Sequence, residues 1–290
     1  MAWQINDLTQ STGAPMPRWS TAGYVNVTDN SQRILYVADN FHVVELRYTL
    51  AGAGGGGSWA RAADLTTTSS VPPGWGVPCP IRQSLFLNVN VPVGQPNGHV
   101  IYRGREGETL YWLYAVNGSE YLAQDVLGHL TSPPDVDAAP SGDAPCAFLW
   151  PGVGSLHGVY VGKNGTVHEV QSSGDKLWTH VNISTAVPGL PPAASDPVGL
   201  VMFDYPPGQG QSRKHLFYAD LSGHVQHLSA AQGAAWTHDP RPLDVEAGAP
   251  QGDLGRGPVP PGGRVTAWAF NPPSGTEDTL HLVYRTIRWR

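Results

Sequence analysis

LHGVYVGKNGTVHEVQSSGDKLW, residues 156–178, reads as two short strands joined by a turn at residues 163–165 and closed by Trp178. The phrase recurs. Tyr36, Tyr102, Tyr160, Tyr218 and Tyr284 each sit in an apolar run: RILYV, HVIYR, HGVYV, HLFYA and HLVYR. Three residues before each Tyr stands Arg33, His99, His157, His215 or His281. A second strand and an aromatic follow four of them: Trp59, Tyr121, Trp178 and Trp236. Behind the aromatic come Asp64-Leu65-Thr66, Asp125-Val126-Leu127 or Asn182-Ile183-Ser184. A unit of about 58 residues, present five times, signals a solenoid, an array or a propeller.

Each repeat divides into four strands. In the first these are residues 23–28, 33–38, 42–48 and 58–65. In the fourth they are residues 198–205, 214–220, 223–229 and a strand from Trp236. Asn and Gly turns join the second and third strands as hairpins require. Four-stranded units repeated radially make a β-propeller. The fifth repeat lacks its closing aromatic and its Asp-Leu-Thr element, and the chain begins with both, at Trp3 and Asp7-Leu8-Thr9. The expectation is one all-β domain over residues 1–290, a five-bladed propeller of four-stranded antiparallel blades. Residues 3–9 would supply the strand that closes the last blade and removes a sheet edge.

Composition narrows the function. Gly 35, Pro 27 and 14% charged residues suit many strands and turns. A net charge of −6 disfavours nucleic acid, which needs a basic surface. No apolar run is long enough for a membrane helix. The opening MAWQINDLTQ has no basic start or apolar core, so the expected location is cytoplasmic. Cys79 and Cys146 follow a Pro at corresponding places and are expected as buried thiols. The histidines before the Tyr residues belong to separate blades and do not converge as metal ligands must. No HExxH, P-loop, GxSxG or CxxC is present, so neither metal nor cofactor is expected.

The repeated phrase resembles the fungal and bacterial fucose-specific lectin-like propellers. The resemblance implies sugar sites between blades, with an Arg and a Glu from neighbouring strands and aromatic walls from the next blade. Arg33 with Glu45 fits that pattern, and His157 with Glu169 stands at the same positions in the third repeat. The second repeat has Tyr111 at the Glu position and the fourth has His227. Well-known members have six blades and a shorter repeat.

Sugar binding needs a cation and a carboxylate for hydroxyls and an aromatic face for the ring. Arg33, Glu45, Arg47, Tyr102 and Trp112 offer this at the first junction, though Arg33 and Glu45 also read as a cross-strand pair. Inner strands carry Tyr24, Asn26, Leu85, Leu87, Phe148, Trp150, Met202, Phe203, Trp268 and Phe270. These read as packing, or as the walls of one asymmetric apolar pocket. Lectin-like propellers also host hetero-Diels–Alder reactions, so the resemblance admits a cofactor-free cyclase of terpenoid natural-product biosynthesis. In that leading reading Arg33, Tyr102, Arg103, His157 and His215 act on an apolar metabolite walled by Phe148, Trp150, Phe203 and Trp268. The alternatives are a lectin for fucosylated glycans, using Glu45, Trp112 and Glu169 as well, and a protein-interaction propeller.

Overall fold

The computed structural model describes residues 7–19, 21–26, 31–49, 57–80, 97–106, 109–116, 120–132, 138–142, 144–150, 155–173, 177–202, 213–240, 265–270 and 279–284. Four antiparallel four-stranded sheets follow one another along the chain. The first holds β1 (Ala22–Asn26), β2 (Ser31–Val37), β3 (Val43–Thr49) and β4 (Ser58–Asp64). The second holds β5 (Gly74–Pro80), β6 (Asn97–Gly104), β7 (Leu110–Val116) and β8 (Glu120–Asp125). The third comprises β9 (Cys146–Trp150), β10 (Ser155–Val161), β11 (Val167–Ser172) and β12 (Thr179–Asn182). The fourth comprises β13 (Val198–Met202), β14 (Arg213–Ala219), β15 (Val225–Ala231) and β16 (Thr237–His238). A fifth pairs β17 (Val265–Phe270) with β18 (Thr279–Tyr284). Two compact units result, the first carrying two sheets and the second three. Among the described residues no helix is long and apolar enough to cross a membrane.

Side chains alternate along each strand, so every middle strand buries two faces. On β2, Leu35 packs with Val43, Leu65, Val100, Tyr102 and Leu113, between the first and second sheets. The intervening Tyr36 packs the other way, with Ala14, Val44 and Leu46. In the first unit Tyr102 thus faces the first sheet, and Arg33, three residues before Tyr36, lies on the face of β2 that meets the second. Leu85 and Leu87 lie outside the described residues; the first strand of the second sheet is β5, which begins at Gly74. Its register shifts between Trp75 and Cys79, where Gly76 takes φ 74°. Cys79 pairs with Ile101 and Cys146 with Val159, each beside the repeat Tyr. Both are thiols.

The Asp-Leu-Thr phrase is a helix start. Asp64 caps α2 (Leu65–Thr68) by accepting the Thr67 amide. Asn182 caps α3 (Ile183–Ala186) through the Thr185 amide. At the front of the chain Asp7 accepts the Gln10 amide and opens a helix, Leu8–Thr12. Leu8 and Thr9 are thus helical, not part of a closing strand, because an Asx side chain satisfies amides that a ladder would otherwise take. Residues 1–6 lie outside the described residues. Behind the caps, the chain returns over the next Tyr. Tyr36, Tyr102 and Tyr218 donate to the carbonyls of Pro15, Pro72 and Pro191 at 2.8, 3.0 and 2.7 Å.

Candidate functional site

The register of the repeats builds two polar junctions. In the first unit, Arg33 on β2 lies across from Arg47 on β3, and Glu45 lies across from Leu35. Arg33 Nη1 donates to Glu45 Oε2 at 3.2 Å, and Arg33 Nε donates to Ser31 Oγ at 3.2 Å. Arg47 Nη2 donates to Glu45 Oε1 at 3.2 Å. From the second sheet, Tyr121 brings its hydroxyl between the two charges. It accepts from Arg33 Nη1 at 2.6 Å and donates to Glu45 Oε2. Arg33, Glu45 and Tyr121 are all buried.

The second unit repeats this with other chemistry. His157 Nδ1 lies 2.8 Å from Glu169 Oε1, and its Nε2 lies 2.7 Å from Ser155 Oγ. Phe148 stacks on the His157 ring at 5.2 Å, and Trp150 meets it at 5.5 Å. The fourth sheet contributes Lys214, whose Nζ donates to both Glu169 oxygens at 2.6 and 2.8 Å, and Trp236, whose Nε1 donates to Oε2 at 2.8 Å. The ammonium also sits 4.4 Å above the Trp236 ring. Burial alone would raise the Glu169 carboxyl, but the His157 hydrogen bond and the Lys214 charge hold it below the usual range.

At the matching place in the fourth repeat, His215 and His227 stack with their nitrogens 3.0 Å apart. Burial, then His227 and Arg213, depresses His215 to about 3. Among the described residues its Nε2 has no hydrogen-bond partner. No cluster of three His, Cys, Asp or Glu suited to a metal occurs among the described residues.

The structure thus joins Arg33 with Glu45, and His157 with Glu169, Phe148 and Trp150, as two separate sets in different units. Of the candidate catalytic residues, Arg33, Tyr102 and Arg103 lie in the first unit and His157 and His215 in the second. The Tyr102 hydroxyl is spent on Pro72. Trp112 alternates with Tyr111 and Leu113, so it turns away from the Arg33 junction and packs against Tyr114 at 4.4 Å. Arg103 likewise points to the face opposite Tyr102, in register with Trp75 and Leu110. Phe148 and Trp150 are buried against His157, not walls of an open pocket. Phe203 and the Trp268 side chain lie outside what the structure describes. Sequence reasoning missed Tyr121, Trp236 and Lys214 as site members. The two aromatics carried a signal, since each closes its repeat. Lys214 was detectable only from strand alternation, which turns it opposite to His215.

No protein-family model matches the chain. No curated protein matches it in sequence either. Solved structures resemble it in fold. A mutant of AofleA from Arthrobotrys oligospora superposes with a TM-score of 0.58 at 14% identity, covering 92% of this chain and 65% of that one. The BP39L lectin from Burkholderia pseudomallei gives 0.52 at 16%, covering 77% and 54%. The Aleuria aurantia lectin, described as a six-bladed β-propeller with a fucose recognition mode, gives 0.52 at 11%, covering 91% and 70%. This chain spans under two thirds of the length of the first two. At these identities the likeness shows the fold: the antiparallel four-stranded sheets are blades like those of the lectin propellers.

Proposed function

We propose that the chain is a carbohydrate-binding propeller and that the Arg33–Glu45–Tyr121 junction is its sugar-recognition set. One observation carries this reading: the Tyr121 hydroxyl accepts from the guanidinium and donates to the carboxylate. Those are the two bonds with which a cation–carboxylate pair recognises a pyranose hydroxyl. In this closed form the protein is its own ligand, and a sugar enters by displacing Tyr121. The His157–Glu169 junction is read differently, because Lys214 and Trp236 saturate its carboxylate. The residue of the second repeat that corresponds to Lys214 is Gly98, which carries no side chain to fill the first junction. Fold likeness to a fucose-recognising lectin makes a fucoside the first probe. The cyclase reading loses support because its apolar walls Phe148 and Trp150 pack on protein side chains.

The same reading takes residues 1–290 as a single five-bladed ring. Its support is the five Tyr positions and the Asp7–Pro15 segment. That segment matches the Asp64–Pro72 linker in length and in its Asp-Leu-Thr start and Pro end.

Calorimetric titration with methyl α-fucoside and a glycan array test the function. Weak binding by the native protein should strengthen in Tyr121→Phe, which removes the competing hydroxyl. A blank array together with no heat from either protein at millimolar fucoside would defeat the proposal.

A further inference from the structure

A cluster at the other end of β2 stands apart from the Arg33 junction. Trp19 precedes β1, Phe41 lies in the β2–β3 turn and Trp75 is on β5. Trp19 and Trp75 meet at 4.9 Å, Phe41 stacks on Trp75 at 5.7 Å with an interplanar angle of 18°, and Trp19 lies 6.1 Å from Phe41. All three rings are half-buried. Two exposed arginines cover them. The Arg18 guanidinium is 4.7 Å from the Phe41 ring and 5.0 Å from Trp19, and the Arg105 guanidinium is 3.9 Å from Phe41. Among the described residues neither guanidinium makes a hydrogen bond or an ion pair, although Asp39 in the β2–β3 turn and Glu106 beside Arg105 stand exposed.

Phe41 is unusual in its backbone. It takes φ 66°, whereas the third and fourth repeats place Gly165 and Gly223 at the corresponding position, at φ 74° and 81°. The left-handed region disfavours any residue with a β-carbon, and such strain gathers at functional sites. Ordinary core packing does not require an aromatic at a strained turn open to water.

We propose that this face is a second binding site, for an acidic saccharide. The sugar's C–H face stacks on the exposed indole and phenyl surface, and its carboxylate or sulfate takes the outward N–H edges of Arg18 and Arg105. A guanidinium lying on a ring keeps those edges free for bidentate contact with an oxyanion. The rings meanwhile hold the side chains in place. Two arginines on a chain of net charge −6 suit one or two anionic groups better than a long polyanion. The site is independent of the Arg33 junction, because Arg33 is near the start of β2 and Phe41 lies beyond its end.

The test is calorimetric titration of the full chain with trigalacturonate, 6-sulfated galactobiose and neutral maltotriose. At least one acidic probe should bind, with an affinity that falls as salt rises. Binding of the carboxylated probe alone identifies a uronate, and of the sulfated probe alone a sulfate ester. The Arg18→Gln/Arg105→Gln protein should weaken it by roughly tenfold or more, and Trp75→Leu should do so with unchanged circular dichroism. Excess methyl α-fucoside should not compete. No binding of either acidic probe at millimolar concentration, equal binding of maltotriose, or displacement by the fucoside would each overturn the second site. None of these depends on whether fucosides bind at Arg33.

Discussion

The Gly74 amide donates to the Phe41 carbonyl at 2.9 Å. The same crossing in the second unit runs from the Ala193 amide to the Gly165 carbonyl at 2.8 Å. At each crossing a linker amide donates to the carbonyl of a turn residue with positive φ, which is Gly165 in the second unit and Phe41 in the first. A β-carbon on Gly165 would lie 2.6 Å from the Ala193 carbonyl oxygen, whereas one on Gly74 would meet the Val37 and Val43 methyls at 3.0 and 3.2 Å. Gly165→Ala therefore costs more than Gly74→Ala, about 3 against about 1 kcal/mol, and urea denaturation reads the order directly. The reverse order would mean that the linker, not the turn, is the rigid partner.

The buried Glu169 set predicts an asymmetry. Glu169→Ala leaves the Lys214 ammonium buried without its carboxylate and is expected to cost about 3–5 kcal/mol. Lys214→Met keeps the volume, and Glu169 retains His157 and Trp236, so the cost falls to about 1–2 kcal/mol. The double variant should be less damaging than the two costs added, because the stranded charge is gone. Equal costs for the two single variants, by denaturant unfolding, would contradict this account.

Much of the fold was legible because Tyr36, Tyr102, Tyr160, Tyr218 and Tyr284 mark one strand in every repeat. Expected strands in the first and fourth repeats fall within a few residues of those observed. Arg33–Glu45 and His157–Glu169 were legible as pairs, since equal spacing in equal strands gives equal register. What closes them was not. Tyr121 and Trp236 arrive from the next sheet, and only the inter-sheet packing makes a repeat's closing aromatic the ligand of its neighbour's carboxylate. The Asp-Leu-Thr element was seen as a repeat, but its capping role competes locally with strand pairing, and at Asp7 the cap prevails. The positive φ of Phe41 could not be read in advance, because the matching turns of the third and fourth repeats place glycine there.

The Tyr–Pro hydrogen bonds give a matched series. Tyr36→Phe, Tyr102→Phe and Tyr218→Phe each remove a donor to a linker carbonyl and should each cost about 1 kcal/mol. Asn182→Ala, which removes the α3 cap, should cost a similar amount, about 1 kcal/mol. If Tyr36→Phe were neutral while the other two were not, the Pro15 segment would not be serving as an inter-repeat linker. Thermal unfolding of the four variants settles the comparison.

Acid should destabilise the protein well above the carboxylate range. His215 is held neutral, first by burial and then by His227 and Arg213, with its value depressed from 6.5 to about 3. Burial lowers His227 in the same way, while Asp239 pulls against the shift. The sign follows from which state takes the proton. Below pH 6.5 the unfolded chain protonates these imidazoles and the folded chain does not, so stability falls as the pH drops towards 3. For His215 alone the loss between pH 7 and pH 5 is about 2 kcal/mol. Glu169, held below the ordinary carboxylate value, adds a loss of the same sign only at more acid pH. The interval from pH 7 to 5 therefore isolates the histidines. Urea midpoints measured across it should fall in the native protein and fall less in His215→Leu, whose ring can no longer be protonated. A native midpoint that holds level or rises on acidification would mean that the His215–His227 pair accepts a proton in the folded state.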